Sequence, residues 1–115
     1  MLKILAFLTK RDGMEMQAFI DYYENNHIPL IRSLAPVPLV YKRRYVMRNE
    51  ELTKNGAVDF DAVTELEFPD RAAFLAWTAR LSGPGAGEQV AADEAKFLDR
   101  SRTRAYIVEE HVTAG

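Results

Sequence analysis

The spacing of apolar residues switches repeatedly between strand and helix periods along this chain, and each switch marks an element. Leu2 to Thr9 is apolar at both parities, which predicts a strand buried on both faces. After the turn Arg11-Asp12-Gly13, apolar residues recur at Met16, Phe19, Ile20, Tyr23, Leu30, Ile31 and Leu34, with His27 on the same stripe, and this spacing predicts a helix. Pro36 and Pro38 end it. Leu39 to Met47 supplies β-branched and aromatic residues with Tyr41, Arg43 and Tyr45 on one face, a second strand. Arg48 to Asp59 reads as a polar loop. In Phe60 to Phe68, Phe60, Ala62, Thr64, Leu66 and Phe68 alternate with Asp61, Val63, Glu65 and Glu67, so the third strand is amphipathic. Asp70 can cap a second helix whose stripe is Phe74, Leu75, Trp77, Thr78 and Leu81, and Ser82-Gly83-Pro84-Gly85-Ala86-Gly87 ends it. A short helix from Glu88 to about Leu98 precedes a last strand from about Arg102 to Val112, in which Ala105, Tyr106, Ile107 and Val108 are apolar at both parities.

The order β-α-β-β-α-(α)-β is the ferredoxin-like, α+β arrangement, a four-stranded sheet with its main helices on one face. At 115 residues with 48% hydrophobic content, residues 1–115 make one domain with a real core. The other face of the sheet lacks cover. Because the first and last strands are apolar at both parities, that face would expose an apolar patch that soluble monomers avoid. A second copy packed sheet against sheet is the least costly cover, so a homodimer is expected, with a cavity between each sheet and its own helices.

Charge and composition exclude several functions. Fifteen Lys plus Arg against seventeen Asp plus Glu leaves a net charge of −2, too little positive field to hold a nucleic acid. Without cysteine there is no disulfide, no thiolate nucleophile and no cysteine-based metal site. The apolar run Ile4-Leu5-Ala6-Phe7-Leu8 is too short to span a bilayer and lacks a signal-peptide cleavage pattern. A cytoplasmic protein without membrane contact is expected.

One of the two histidines lies in Tyr22-Tyr23-Glu24-Asn25-Asn26-His27-Ile28-Pro29. Tyr23 and His27 are four apart on the sheet-facing stripe, so the imidazole points inward. Pro29 has no N–H for the carbonyl of Asn25, and it biases Ile28 away from helical geometry. The helix should therefore break or kink near Asn26-His27, with Asn25 and Asn26 tolerating left-handed geometry. Such a break makes room for a ligand. His27 reads as a core histidine bonded to a carbonyl or as a general base, an apolar setting favouring the neutral ring that can accept a proton. Its nearest helpers on the pocket-facing parity are Tyr41 as hydrogen-bond donor, Arg43 as anion partner, and Asp61 or Glu65 to orient it or share a proton. Against these roles stand cross-strand packing for Tyr41 and Tyr45 and a solvated strand face for Glu65 and Glu67. Tyr23 and Trp77 complete the candidate pocket. Trp77 should pack its helix into the core with its N–H finding a carbonyl.

Lys10-Arg11-Asp12-Gly13-Met14, Phe19, Tyr23, His27-Ile28-Pro29-Leu30, Tyr41, Phe60-Asp61, Ala92-Asp93-Glu94 and Phe97-Leu98-Asp99 together resemble the EthD-type dimeric α+β barrel family. The likeness covers nearly the whole chain. It implies a ferredoxin-like protomer, a sheet-to-sheet dimer and a pocket in each half. Similar barrels serve as lactone isomerases, polyketide cyclases or decarboxylases, and cofactor-free monooxygenases, so the fold does not choose the reaction. His27 carries over as the functional position, with Tyr41 and Asp61 behind it. Leu98 stands where the family tends to place a second aromatic after Phe97, which puts the pocket floor in question.

Other motifs point nowhere sharper. The glycine-rich run 82–87 follows a helix and lacks a following Lys-Ser/Thr, so it reads as a flexible lid or a linker, not a phosphate loop. His27 and His111 are far apart in sequence, and no second feature supports a porphyrin. No metal and no cofactor are expected. Two functions are consistent with this sequence: a small cofactor-independent enzyme of aromatic, polyketide or xenobiotic catabolism in which His27 moves a proton on an aromatic or lactone substrate, and a non-catalytic accessory protein that holds an apolar metabolite for a partner oxygenase.

Overall fold

The computed structural model describes residues 1–53 and 59–115. Its strands β1 (Leu2–Leu8), β2 (Val40–Tyr45), β3 (Ala62–Phe68) and β4 (Arg104–Val108) form one antiparallel sheet in the order β2-β3-β1-β4. Helices α1 (Met16–Tyr22), α2 (Ile28–Leu34), α3 (Arg71–Ser82) and α4 (Ala86–Glu94) fill the connections. This is the ferredoxin-like α+β order that the periods predict, with the extra short helix before the last strand. Of the polar loop expected over Arg48 to Asp59, Arg48–Glu50 form a short 3₁₀ turn, while residues 54–58 lie outside the described residues.

Register decides which side chains meet. Directly paired residues of neighbouring strands share a face. Tyr41 pairs with Leu66, Arg43 with Thr64 and Tyr45 with Ala62, and these β3 residues pair in turn with Ile4, Ala6 and Leu8. That set faces the helices. One core cluster joins Leu8 and Ala62 to Phe19, Tyr23, Phe97 and Leu98, and another joins Ile4, Leu66 and Phe68 to Phe74 and Trp77. Glu65 pairs with Lys42 and Leu5, so it lies on the opposite, open face. The grouping of Glu65 with Tyr41 and Arg43 is therefore corrected: the register of β2 on β3 sets them on opposite sides. On the open face Glu65 is buried, bonded to Arg44 at 3.0 Å and 3.5 Å from Lys3.

The last strand, apolar at both parities in sequence, lies at the edge of the sheet. β4 is an edge strand paired only with β1, and Tyr106 on one face and Ile107 on the other are 54% and 47% exposed in the protomer. Its apolar residues at both parities have nothing over them within a single chain.

The helix does not break near Asn26-His27; the irregularity at that place is a wide turn within a continuous right-handed run. Residues Tyr23–His27 form a π-helical turn, and the N–H of Ile28 donates to the carbonyl of Tyr23, five residues back. The backbone stays right-handed through Tyr22, His27 and Ile28, and no described non-glycine residue has a positive φ. Widening one turn accommodates the missing N–H of Pro29, which then sits in the first turn of α2 where no intrahelical donor is needed. It also keeps one face inward. Phe19, Tyr23, His27, Ile31 and Ala35 are all buried at strict four-residue intervals, a repeat that drifts by about 40° per step in a 3.6-residue helix. The wider turn takes out much of that drift, so both flanking helices keep their apolar sides on the sheet.

Local chemistry sets the remaining ends. Asp70 caps α3 by accepting from the N–H of Ala73 at 2.8 Å. The glycine-rich run is a tight turn instead of a lid or slack linker: Gly85 has φ +83°, its N–H donates to Glu88 Oε2 at 2.6 Å, and Gly87 N–H donates to Gly83 O at 2.8 Å. The chain leaves α4 at Glu94, short of Leu98, because Phe97 and Leu98 turn into the core. Arg11 N–H then donates to Phe97 O at 2.8 Å and Lys10 bridges to Leu98, which is buried. No helix among the described residues is long and apolar enough to cross a membrane.

Candidate functional site

His27 occupies the last position of the π turn and is 7% exposed. Its Nδ1 lies 2.7 Å from Oδ2 of Asp93, which sits in the last turn of α4. The other oxygen of Asp93 accepts from the hydroxyl of Tyr22 at 2.6 Å. Tyr22 and His27 are five residues apart, which in an ordinary α-helix sets them about 140° apart around the axis. The π turn stacks residue 27 over residue 22, and so lets one carboxylate hold both.

That pairing defines the ring. With Asp93 accepting at Nδ1, the neutral imidazole carries its proton there and presents Nε2 as an acceptor. Nε2 has no hydrogen-bond partner among the described residues, nor is it sealed, since among them only Trp77 Nε1 is both buried and unpartnered. The ring stands edge-on to Tyr23 with centroids 5.3 Å apart and is tilted against Phe97 at 5.0 Å. The expected cavity beside the ring is largely filled by these two neighbours.

Phenols are concentrated in the core next to the histidine. Tyr23 is buried and shares a 2.5 Å hydrogen bond with Thr64 on β3, and its hydroxyl also interacts with that of Tyr41. Burial pushes the Tyr23 phenol up to about 12, and burial with the Asp93 hydrogen bond does the same for Tyr22. Tyr41 is pushed up by burial and by Tyr23, and Tyr45 by burial and by Glu24. At neutral pH all four phenols are therefore protonated and able to donate.

Arg43 is committed within the protein. Its Nε and Nη2 donate to the two oxygens of Glu24 at 3.0 and 2.5 Å, its Nη1 donates to Tyr41 O at 2.8 Å, and its guanidinium lies 5.4 Å from the Tyr41 ring centre. Tyr45 donates to the same Glu24 at 2.5 Å. Arg43 raises no free fork toward a ligand anion, contrary to its expected role. It holds the Glu24 carboxyl below the usual carboxylate range, chiefly through its hydrogen bond, and Glu24 in turn raises Arg43.

The structure brings together His27, Tyr23, Tyr41 and Arg43, and separates Asp61, Glu65 and Trp77 from them. Asp61 is buried at the strand ends, where its carboxylate accepts from Lys10 N–H at 2.8 Å and from Arg48 at 2.7 Å, tying the loop after β1 to the start of β3. The orienting carboxylate is Asp93 instead, 66 residues from His27 in sequence and missed as an individual candidate. Trp77 packs on Phe68 at 5.4 Å, but its Nε1 is buried without a partner, against the expectation that it finds a carbonyl. Among the described residues no group of three or more His, Asp or Glu can hold a metal ion.

The family model for the EthD domain matches residues 11–101, a span that includes both His27 and Asp93. The chain belongs to the EthD family. Solved structures share its fold. An ethyl tert-butyl ether D (EthD) family protein from Bacillus halodurans is 22% identical with a TM-score of 0.64, the match covering 96% of this chain and 100% of that one. A protein from Arabidopsis thaliana is 13% identical with a TM-score of 0.64, covering 99% of each chain. HapK from Hahella chejuensis is 18% identical with a TM-score of 0.59, covering 100% of each. No curated protein sequence matches this EthD-family chain.

Proposed function

We propose that this EthD-family protein is a small cofactor-independent catalyst in which His27 moves a proton on an apolar or aromatic compound. The supporting observation is the 2.7 Å bond between Asp93 and Nδ1, which leaves Nε2 as an unshared acceptor beside neutral phenols. Nε2 takes a proton from an acidic carbon or hydroxyl of the substrate, Asp93 steadies the imidazolium that forms, and a phenol such as Tyr23 or Tyr41 donates to the developing oxyanion. Isomerisation, cyclisation and cofactor-free oxygenation can start from such a proton transfer, and decarboxylation ends on the reverse one, protonation of the carbanion left when CO2 departs. The same proposal sets the chain in the cytoplasm as a homodimer. The uncovered sheet face, with Leu5, Phe7 and Tyr106, supports the second copy, which sedimentation equilibrium would detect.

The test follows deuterium exchange at the enolisable carbon of benzoylacetone, an aromatic diketone. His27→Gln should slow exchange by about 10²–10⁴-fold while leaving the affinity for benzoylacetone nearly unchanged. The second reading is an accessory protein that holds an apolar metabolite for a partner oxygenase, a role that needs no base. Equal loss of exchange and affinity in His27→Gln supports that reading, and unchanged exchange removes His27 from the chemistry.

A further inference from the structure

An apolar recess lies away from His27. It is a cleft of about 380 Å³ between the segment after α2 and the outer side of α3, and His27 is not among its walls. Its volume falls in the range of small-molecule pockets. Pro36 and Pro38 form one wall, and Phe68, Ala76 and Trp77 form the other, with Arg80 among the lining residues. Two polar features stand in this otherwise apolar setting. The indole N–H of Trp77 is buried without a partner, and such a group costs stability until it meets an acceptor. Arg80 is exposed and forms no ion pair among the described residues; its Nε makes a long 3.4 Å contact to Leu34 O. Prolines on the wall fix the backbone beforehand, which lowers the ordering cost of a ligand.

From these features we propose that the cleft is a second ligand site, distinct from the His27 site, for an amphiphilic organic anion. An apolar body fills the groove over Phe68 and Trp77, and a carboxylate head pairs with Arg80. An acceptor oxygen on the ligand reaches the Trp77 N–H after a small adjustment of the indole. The charge preference follows from Arg80: a neutral head loses the ion pair, and a cationic head meets repulsion. The proposal stands whether or not His27 is catalytic.

Trp77 is the chain's single tryptophan, so one indole N–H resonance reports on the cleft. Decanoate, decanol and decyltrimethylammonium, each below its micelle concentration, share a tail and differ in head charge. Decanoate should shift the indole resonance saturably, decanol should bind more weakly, and the ammonium should leave the resonance in place. Arg80→Gln should weaken decanoate about fivefold, the scale of one partly exposed charged contact, without changing decanol. Ala76→Phe, at an exposed wall position, should block both, whereas His27→Gln should leave both intact. The proposal fails if no probe shifts the resonance, if all three heads bind alike, or if Ala76→Phe binds as the parent does. Loss of decanoate binding in His27→Gln would merge the two sites and also overturn it. A shift that grows with protein concentration alone would name a second copy as the occupant and reject the small anion.

Discussion

At one end of the helix-covered core, Asp93, Tyr22, Tyr23 and Thr64 satisfy one another's polar atoms around His27, whereas at the other end the Trp77 indole N–H is buried among apolar neighbours with no partner. Both ends are built from aromatic side chains on the same sheet. The first spends its hydroxyls on fixing the state of one ring, leaving a single nitrogen open. The second leaves a donor unmatched beside a cleft. Polar satisfaction at one end and its lack at the other separate a place suited to proton handling from a place suited to binding.

The contrast can be tested from its strongest element downward. Phe97 is fully buried and touches Phe19, Tyr22, Tyr23 and His27, so Phe97→Ala should cost about 3–5 kcal/mol in chemical denaturation and loosen the His27 end first. Deletion of Asn26 should restore an ordinary helix in which His27 follows Tyr22 by four residues and stays on its side. The domain should still unfold cooperatively, and the His27 Nδ1 proton bonded to Asp93 should persist in the NMR spectrum; its loss would mean that the wide turn itself is needed to hold the pair. Glu24 provides a smaller, pH-dependent effect. Arg43 holds its carboxyl below the ordinary 4.5, so its contribution is complete above that value and is lost as pH falls through the lowered one. Unfolding measured between about pH 5 and pH 3 should therefore steepen in the parent and flatten in Glu24→Gln. Trp77→Phe should change stability least, by under about 1 kcal/mol, because lost packing is offset by removal of the unmatched N–H. A loss as large as that of Phe97→Ala would mean that the two ends are built alike.

Element order was legible because each element carries its own period, and the inward histidine followed from its place on the helical stripe. The faces of β2 and β3 were less so. Glu65 alternates correctly within its own strand, but which parity it shares with Tyr41 depends on register, a long-range property no single strand encodes. Asp93 carries no periodic signal that marks it as a partner of His27; it stood only within the Ala92-Asp93-Glu94 match. The π turn did leave a trace: inward residues spaced strictly by four from Phe19 to Ala35 are incompatible with an unmodified helix over that length. Pro29 was read for the hydrogen bond it removes, and the wider turn that absorbs the loss went unread.

The imidazole and the carboxylate that orients it are supplied from distant stretches of the polypeptide. During synthesis the early helix can form while its aspartate is still inside the ribosome. The pair can exist only after the late helix has docked, so an incomplete chain holds the base without its orienting partner and stays chemically quiet until the domain closes.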